Sequence, residues 1–168
     1  MTAANDEDLA LSRRAADGDS AAFAMLVEKY ERPLRSFLAR MDPHEADDVA
    51  QEAFLRAWRF ARHYDGRARY STWLTRIAWR CRLDSLRKRR VDDTVEQPHS
   101  SAGTGAEVRD MLARLSEPER AALILCEGHG WTHGEAAELL GLPLGTLKSQ
   151  VARAKTKCRE MWSGGGHG

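Results

Sequence analysis

Trp131–Cys158, WTHGEAAELLGLPLGTLKSQVARAKTKC, carries two helical patterns separated by a tight turn, the second of them cationic. Thr132 followed by Glu135 makes a capping box, which predicts a helix from His133 through Leu140. Gly141 stops it, Leu142 and Pro143 carry the turn, and a second helix opens near Leu144 with Leu147, Val151, Ala154 and Cys158 on one apolar face. The other face is left with Lys148, Ser149, Ala152, Arg153 and Lys155. Small Ala136 and Ala137 let the two helices approach closely, and the projecting cations and hydroxyl suit phosphates and base edges. A helix-turn-helix that probes the DNA major groove follows from this pattern. The bland alternative is a solvated helical hairpin whose cations confer solubility alone.

Charge is segregated along the rest of the 168 residues, although the formal net charge is only +1. Met41–Ala53 holds five acids and no Lys or Arg, whereas Arg59–Arg90 holds eleven Lys or Arg against two Asp. Two partners of opposite sign are implied, one of them nucleic acid. The N-terminus, MTAANDEDLALSRR, is acidic, and no stretch is apolar enough to span a bilayer, so a cytoplasmic protein without membrane insertion is expected. Three widely spaced cysteines argue against a disulfide framework.

Helical periodicity recurs almost everywhere and no strand pattern is convincing, so the fold class is all-α. Asp8–Ala16 reads as a first short helix. Asp19 or Ser20 caps a second through Phe23, Leu26, Val27 and Tyr30, which Pro33 is expected to disturb or restart. Pro43 is expected in the first turn of a third helix, whose buried face is Val49, Ala50, Phe54, Ala57 and Trp58 and whose outer face is Asp48, Gln51, Glu52 and Leu55. Tyr64–Tyr70, YDGRARY, is a turn-bearing loop centred on Gly66. Ser71 is expected to cap the next helix, in which Arg76, Arg80 and Arg87–Arg90 supply charge. A cationic helix beside an aromatic-flanked loop suits single-stranded nucleic acid, with Tyr64 and Tyr70 as stacking candidates and Trp73 and Trp79 as core residues.

After Arg90 the composition turns polar, acidic and rich in Ser, Gly and Thr, the mark of a flexible linker. Beyond it a helix begins near Ala106 and carries Val108, Met111, Leu112 and Leu115. Ser116 and Glu119, with Pro118 between them, cap a helix that ends at Gly128. The expected organisation is a domain over 1–91, a linker over 92–106, a helix-turn-helix domain over 107–162 and a disordered tail over 163–168.

Four blocks in this order, DDVAQEAFLRAW (47–58), YSTWLTRIAWRCRLDSLRKRR (70–90), LSEPERAALIL (115–125) and GEAAELLGLPLGTLKSQVARAK (134–155), resemble the compact two-domain extracytoplasmic-function (ECF) group of the sigma-70 family. The resemblance implies a non-enzymatic RNA polymerase sigma factor that needs no cofactor and is a monomer when free. Its partners would be core RNA polymerase, promoter DNA and an anti-sigma factor. It further implies Asp48, Gln51 and Glu52 as contacts to the polymerase. Recognition and melting of the promoter −10 element would fall to Tyr64, Arg67, Arg69, Tyr70, Ser71, Arg76, Arg80, Arg87 and Lys88. Reading of the −35 element would fall to Thr146, Lys148, Ser149, Gln150, Ala152 and Arg153. Linker acids Asp92, Asp93 and Glu96 would lie on the RNA exit path. Members usually carry Asn after Ile-Ala-Arg in the −10 helix, where this chain has Ile77-Ala78-Trp79-Arg80.

Two other classes stay open on residues alone. A stand-alone helix-turn-helix regulator would leave the acidic and basic blocks unexplained. An enzyme would need paired carboxylates, a Ser-His-Asp arrangement or a Gly-rich phosphate loop, none of which the chain displays. Cys126, His129 and His133 have a spacing within reach of zinc, without an obvious fourth ligand.

Overall fold

The computed structural model describes residues 3–92 and 105–164. They are helical and contain no strand, and the chain divides into two units, Met1–Gln97 and Pro98–Gly168. None of the described helices is long and apolar enough to cross a membrane.

The first unit is built from α1 (Ala3–Ala16), α2 (Ser20–Met41), α3 (Ala46–Arg59), a short 3-10 turn (Ala61–His63) and α4 (Tyr70–Asp92). Its core forms where α2 supplies Leu26, Leu34, Phe37, Leu38 and Met41, α3 supplies Val49, Ala50, Ala53 and Ala57, and α4 supplies Leu74, Ala78 and Cys81. The alanines let α3 lie close against α4. Asp19 caps α2 by accepting from the Ala22 amide at 3.0 Å and also pairs with Arg14 at 2.7 Å.

Four local expectations are corrected here. α1 begins at Ala3, five residues before Asp8. α2 runs unbroken through Pro33, which sits exposed on the solvent side. Burial of Leu34, Phe37 and Leu38, each worth about 1.5–3 kcal/mol, offsets the roughly 3 kcal/mol an interior proline costs. Pro43 lies in the turn before α3, where Asp42 Oδ1 accepts from the His44 amide at 2.9 Å. Ser71 does not cap α4: the Arg69 carbonyl already accepts the Trp73 amide at 3.1 Å, so Ser71 is one residue inside the helix.

The second unit comprises α5 (Ala106–Ala113), α6 (Glu117–Leu123) with a single π turn after it (Ile124–Gly128), α7 (His133–Leu140) and α8 (Leu144–Gly164). Both capping boxes are formed, Ser116 with Glu119 and Thr132 with Glu135. Gly141 takes φ +65° and the Leu142 amide donates to the Ala137 carbonyl at 2.9 Å, the closure that turns α7 toward α8. Leu112, Leu115, Ala121, Ala122, Ile124, Leu125, Trp131, Ala136, Leu147, Val151 and Ala154 make the core. Val108 on α5 is exposed, and Leu112 and Leu115 are the leucines of this stretch that reach the core. α8 extends through Gly164, two residues into the expected tail. Residues 165–168, Asp93, Glu96 and most of the expected linker lie outside the described residues.

Candidate functional site

α3 turns its acids outward. Asp48 and Gln51 are exposed and, among the described residues, have no side-chain partner. Leu55, one helical turn beyond Gln51, is 49 % exposed. Glu52 differs, since its carboxylate accepts from Arg56 Nε at 2.8 Å while Arg56 also reaches Asp84 on α4 at 2.9 Å. These two carboxylates hold the Arg56 guanidinium charged well above the usual arginine value. Glu52 therefore helps to bind α3 to α4.

The loop after the 3-10 turn alternates strictly. Tyr64, Gly66 and Tyr70 are buried, Ala68 is half-buried, and Asp65, Arg67 and Arg69 face out. Tyr64 and Tyr70 are thus not stacking platforms. Their rings meet edge to face at 5.1 Å, each lies 5.4 Å from the ring of Trp73, and Tyr70 also lies 5.1 Å from Tyr30. Burial, with the nearby Asp8 and Asp65 charges, pushes the Tyr64 phenol up to about 12. What the loop offers to a ligand is its outer row, Asp65, Arg67 and Arg69, with Arg67 Nε 3.4 Å from the Asp65 carboxylate.

Along α4 the spacing of Arg76, Arg80, Leu83 and Arg87 places them on one face. Arg80, Arg87 and Lys88 are exposed, whereas Arg76 and Ser71 are half-buried. Arg89 is taken by unit 1 itself, 3.1 Å from the buried Glu45 and 3.9 Å from Asp42. Trp79 points inward, 6.5 Å from Phe37, with the Arg82 guanidinium 5.4 Å over its ring.

In the second unit Thr146, Lys148, Ser149, Ala152 and Arg153 are exposed on α8 and Gln150 is half-buried. Ser149 Oγ donates to the Gly145 carbonyl at 3.0 Å. Lys148 and Arg153 have no partner among the described residues, whereas Lys155 pairs with Glu127 of the π turn at 2.6 Å and Lys157 with Glu119 at 2.8 Å. Glu119 and Glu127 fasten α8 by its cations, and the sequence, which marks Glu119 only as a capping residue, shows neither pairing. Glu127 and Lys155 lie 28 positions apart and Glu119 and Lys157 lie 38 apart, beyond any local spacing rule.

Cys126, His129 and His133 do not assemble: no group of three or more His, Cys, Asp or Glu among the described residues is placed to hold a metal ion. Cys126 stays half-buried on the continuing helix, where burial raises its thiol, while His133 is exposed at the start of α7.

Comparison with known proteins places these two units in order. The Sigma-70 region 2 profile matches residues 26–91 and the Sigma-70, region 4 profile matches residues 105–158. The chain is 31 % identical over 175 residues to RNA polymerase sigma-H factor of Pseudomonas aeruginosa, covering 89 % of this chain and 91 % of that one. It is 32 % identical over 168 residues to the ECF RNA polymerase sigma factor SigC of Mycobacterium tuberculosis, covering 92 % and 91 %. Among solved structures, CnrH in complex with the cytosolic domain of CnrY is similar, at 25 % identity and a TM-score of 0.72 over 94 % of this chain and 98 % of that one.

Proposed function

The chain belongs to the ECF group of the sigma-70 family of RNA polymerase sigma factors, and we propose that it docks on core RNA polymerase through α3 and directs it to promoters, reading the −35 element with α8 and the −10 element with the loop Tyr64–Ser71 and α4. The observation that carries this reading is the sorting of charge by commitment. The cations paired across elements inside each unit (Arg56, Arg89, Lys155, Lys157) are distinct from those left exposed at the motif positions (Arg69, Arg80, Arg87, Lys88, Lys148, Arg153), to which Arg67 adds an exposed guanidinium paired only with Asp65 of its own loop.

Each element then has a chemical task. Asp48 and Gln51 meet a basic or polar surface on the polymerase, with Leu55 supplying apolar contact and Glu52 holding the helix in place. Thr146, Lys148, Ser149, Gln150, Ala152 and Arg153 enter the major groove, where cations take phosphates and the smaller groups approach base edges. Arg80, Arg87 and Lys88 track the backbone of the displaced strand. With Tyr64 and Tyr70 buried, capture of an unpaired base falls to Arg67 and Arg69, whose planar guanidinium groups stack on bases as well as bind phosphates. Such contacts offset the few kcal/mol of unstacking.

A protein antagonist is also expected, because Leu55, Phe60, Leu144 and Trp162 are large apolar side chains left exposed beside these working faces. CnrH was solved in complex with another protein, the cytosolic domain of CnrY.

Size-exclusion co-elution with bacterial core RNA polymerase tests the docking. The unmodified chain is expected to co-elute and Asp48→Arg with Gln51→Arg to fail, Glu52 being left intact so that the Arg56 pair survives. Co-elution of the double variant refutes docking through α3. An unmodified chain that binds duplex DNA without co-eluting is a stand-alone regulator.

A further inference from the structure

α1 lies outside both family-matched stretches, yet it makes the contacts that shape the loop. Asn5, 7 % exposed, donates through Nδ2 to the Gly66 carbonyl. A carbonyl only accepts, so the amide nitrogen faces it and Oδ1 is left for Tyr64, whose hydroxyl lies 2.8 Å away. The same hydroxyl is 2.9 Å from the Ala68 carbonyl, and its one proton serves both acceptors. Asn5 thereby holds the Gly66 carbonyl just before Arg67 directly, and through its Oδ1 shares the Tyr64 hydroxyl with the Ala68 carbonyl just after it. Leu9 completes the seat. Gly66 takes φ +77°, and a Cβ there would meet Leu9 Cδ2 at 2.9 Å, so the turn closes directly onto α1. Asp65 Oδ1 accepts the Arg67 amide at 3.0 Å and tightens the same turn from outside.

We propose that α1, acting through Asn5 and Leu9, is the positioning element that sets the conformation of the loop Tyr64–Tyr70 and with it the base preference at the −10 element. The inference rests on the promoter-reading function above. Asn5 touches no DNA in this account; it acts by fixing where Arg67 and Arg69 project. Without it the Gly66 carbonyl is buried without a donor and the loop exchanges among conformers that present the arginines differently, which flattens base discrimination while leaving α3 and α8 unaffected.

The test compares Asn5→Ala, the milder Leu9→Val, and Ser12→Ala as a control. Ser12 Oγ donates from the same helix to the Ala61 carbonyl at 3.1 Å, so its removal weakens α1 docking at the 3-10 turn while leaving the Asn5 and Leu9 contacts with Gly66 and the Tyr64 hydroxyl in place. Each full-length protein is combined with core RNA polymerase and transcribes a promoter library randomised at −10 and −35, and the transcripts are sequenced. In parallel, limited trypsin digestion of the free proteins reads cleavage after Arg67 and Arg69. For Asn5→Ala, cleavage in the loop is expected to rise about tenfold and discrimination at the best-read −10 position to fall about tenfold, with the −35 motif unchanged. Leu9→Val should move both readouts in the same direction by less, and Ser12→Ala should move neither. An Asn5→Ala profile equal to wild type, or Ser12→Ala and Asn5→Ala shifting alike, overturns the inference alone. A wild-type protein that enriches no −10 motif overturns the promoter-reading function, and the inference with it.

Discussion

Glu119→Gln removes one charge from beneath α8 and little else. The Glu119 side chain is 5 % exposed and accepts from Lys157 Nζ at 2.9 and 2.8 Å and from the Ser116 amide at 3.1 Å. Glutamine has the same size and can still accept the Ser116 amide, so the capping box survives and the loss is confined to the ion pair. A hydrogen bond to a charged group contributes about 1.5–3 kcal/mol, and because Lys157 is 47 % exposed, solvent screening lowers this to about 1–1.5 kcal/mol. That is close to a tenfold rise in the opening equilibrium of the second unit. The assay equilibrates the protein in urea at each pH, applies a brief hydrogen-exchange pulse at fixed pH, and reads α6 and α8 peptides by mass spectrometry, with α2 and α3 peptides as internal controls. The pH dependence is equally specific. The hydrogen bond from Lys157 holds the Glu119 carboxyl below the ordinary value of 4.5, so this stabilisation is fully present above pH 4.5 and is lost as pH falls through the lowered value. The gap between wild type and variant should be constant from neutrality down to about pH 5 and close below 4.5. A gap that persists undiminished at pH 3 would refute the electrostatic account, and no gap at pH 7 would refute the pair's contribution altogether.

Tyr30→Phe removes one of the two donors to Asp8, a carboxylate 3 % exposed whose other partner is Lys29 at 2.7 Å, and should cost the first unit about 1–3 kcal/mol in urea denaturation; an unchanged midpoint contradicts this. Burial pushes the Cys81 thiol up to about 11, whereas Cys126 and Cys158 are only half-buried, so Ellman's reagent should titrate two thiols in the folded protein and the third only after unfolding. On a promoter duplex, Lys148→Ala and Arg153→Ala should each lower the salt dependence of holoenzyme binding by about 0.9 in log–log slope. Lys155→Ala, which loses a cation already paired with Glu127, should leave the slope unchanged; equal slopes for all three variants contradict the division of cations.

Much of the architecture is legible in local spacing. Thr132 with Glu135, Ser116 with Glu119, and Gly141 mark helix ends because caps are made between residues three or four apart, and the structure forms all three. The same holds for the stripe that puts Asp48, Gln51 and Leu55 outward on α3. Pro33 shows the limit: its local cost argues for a break, and burial of Leu34, Phe37 and Leu38 keeps α2 whole. In Tyr64–Tyr70 the period-two alternation of large or small inward residues with outward charges was already present in YDGRARY. Without knowledge of what lay beneath the loop, its tyrosines read equally well as exposed stacking rings.

By itself, then, the sequence determined the helical class, the two-part organisation and the helix-turn-helix, all of which follow from hydrogen bonds and side-chain periodicity within one or two helical turns. Tertiary structure alone decided which charges stay available and which way the aromatic rings point. Lys157 is occupied because Glu119 lies against it across 38 residues, and the buried Tyr64 hydroxyl finds an acceptor in Asn5, 59 residues earlier, beside the Ala68 carbonyl of its own loop. A polar group's fate depends on desolvation and on the partner that compensates it, and that partner is chosen by packing of distant segments.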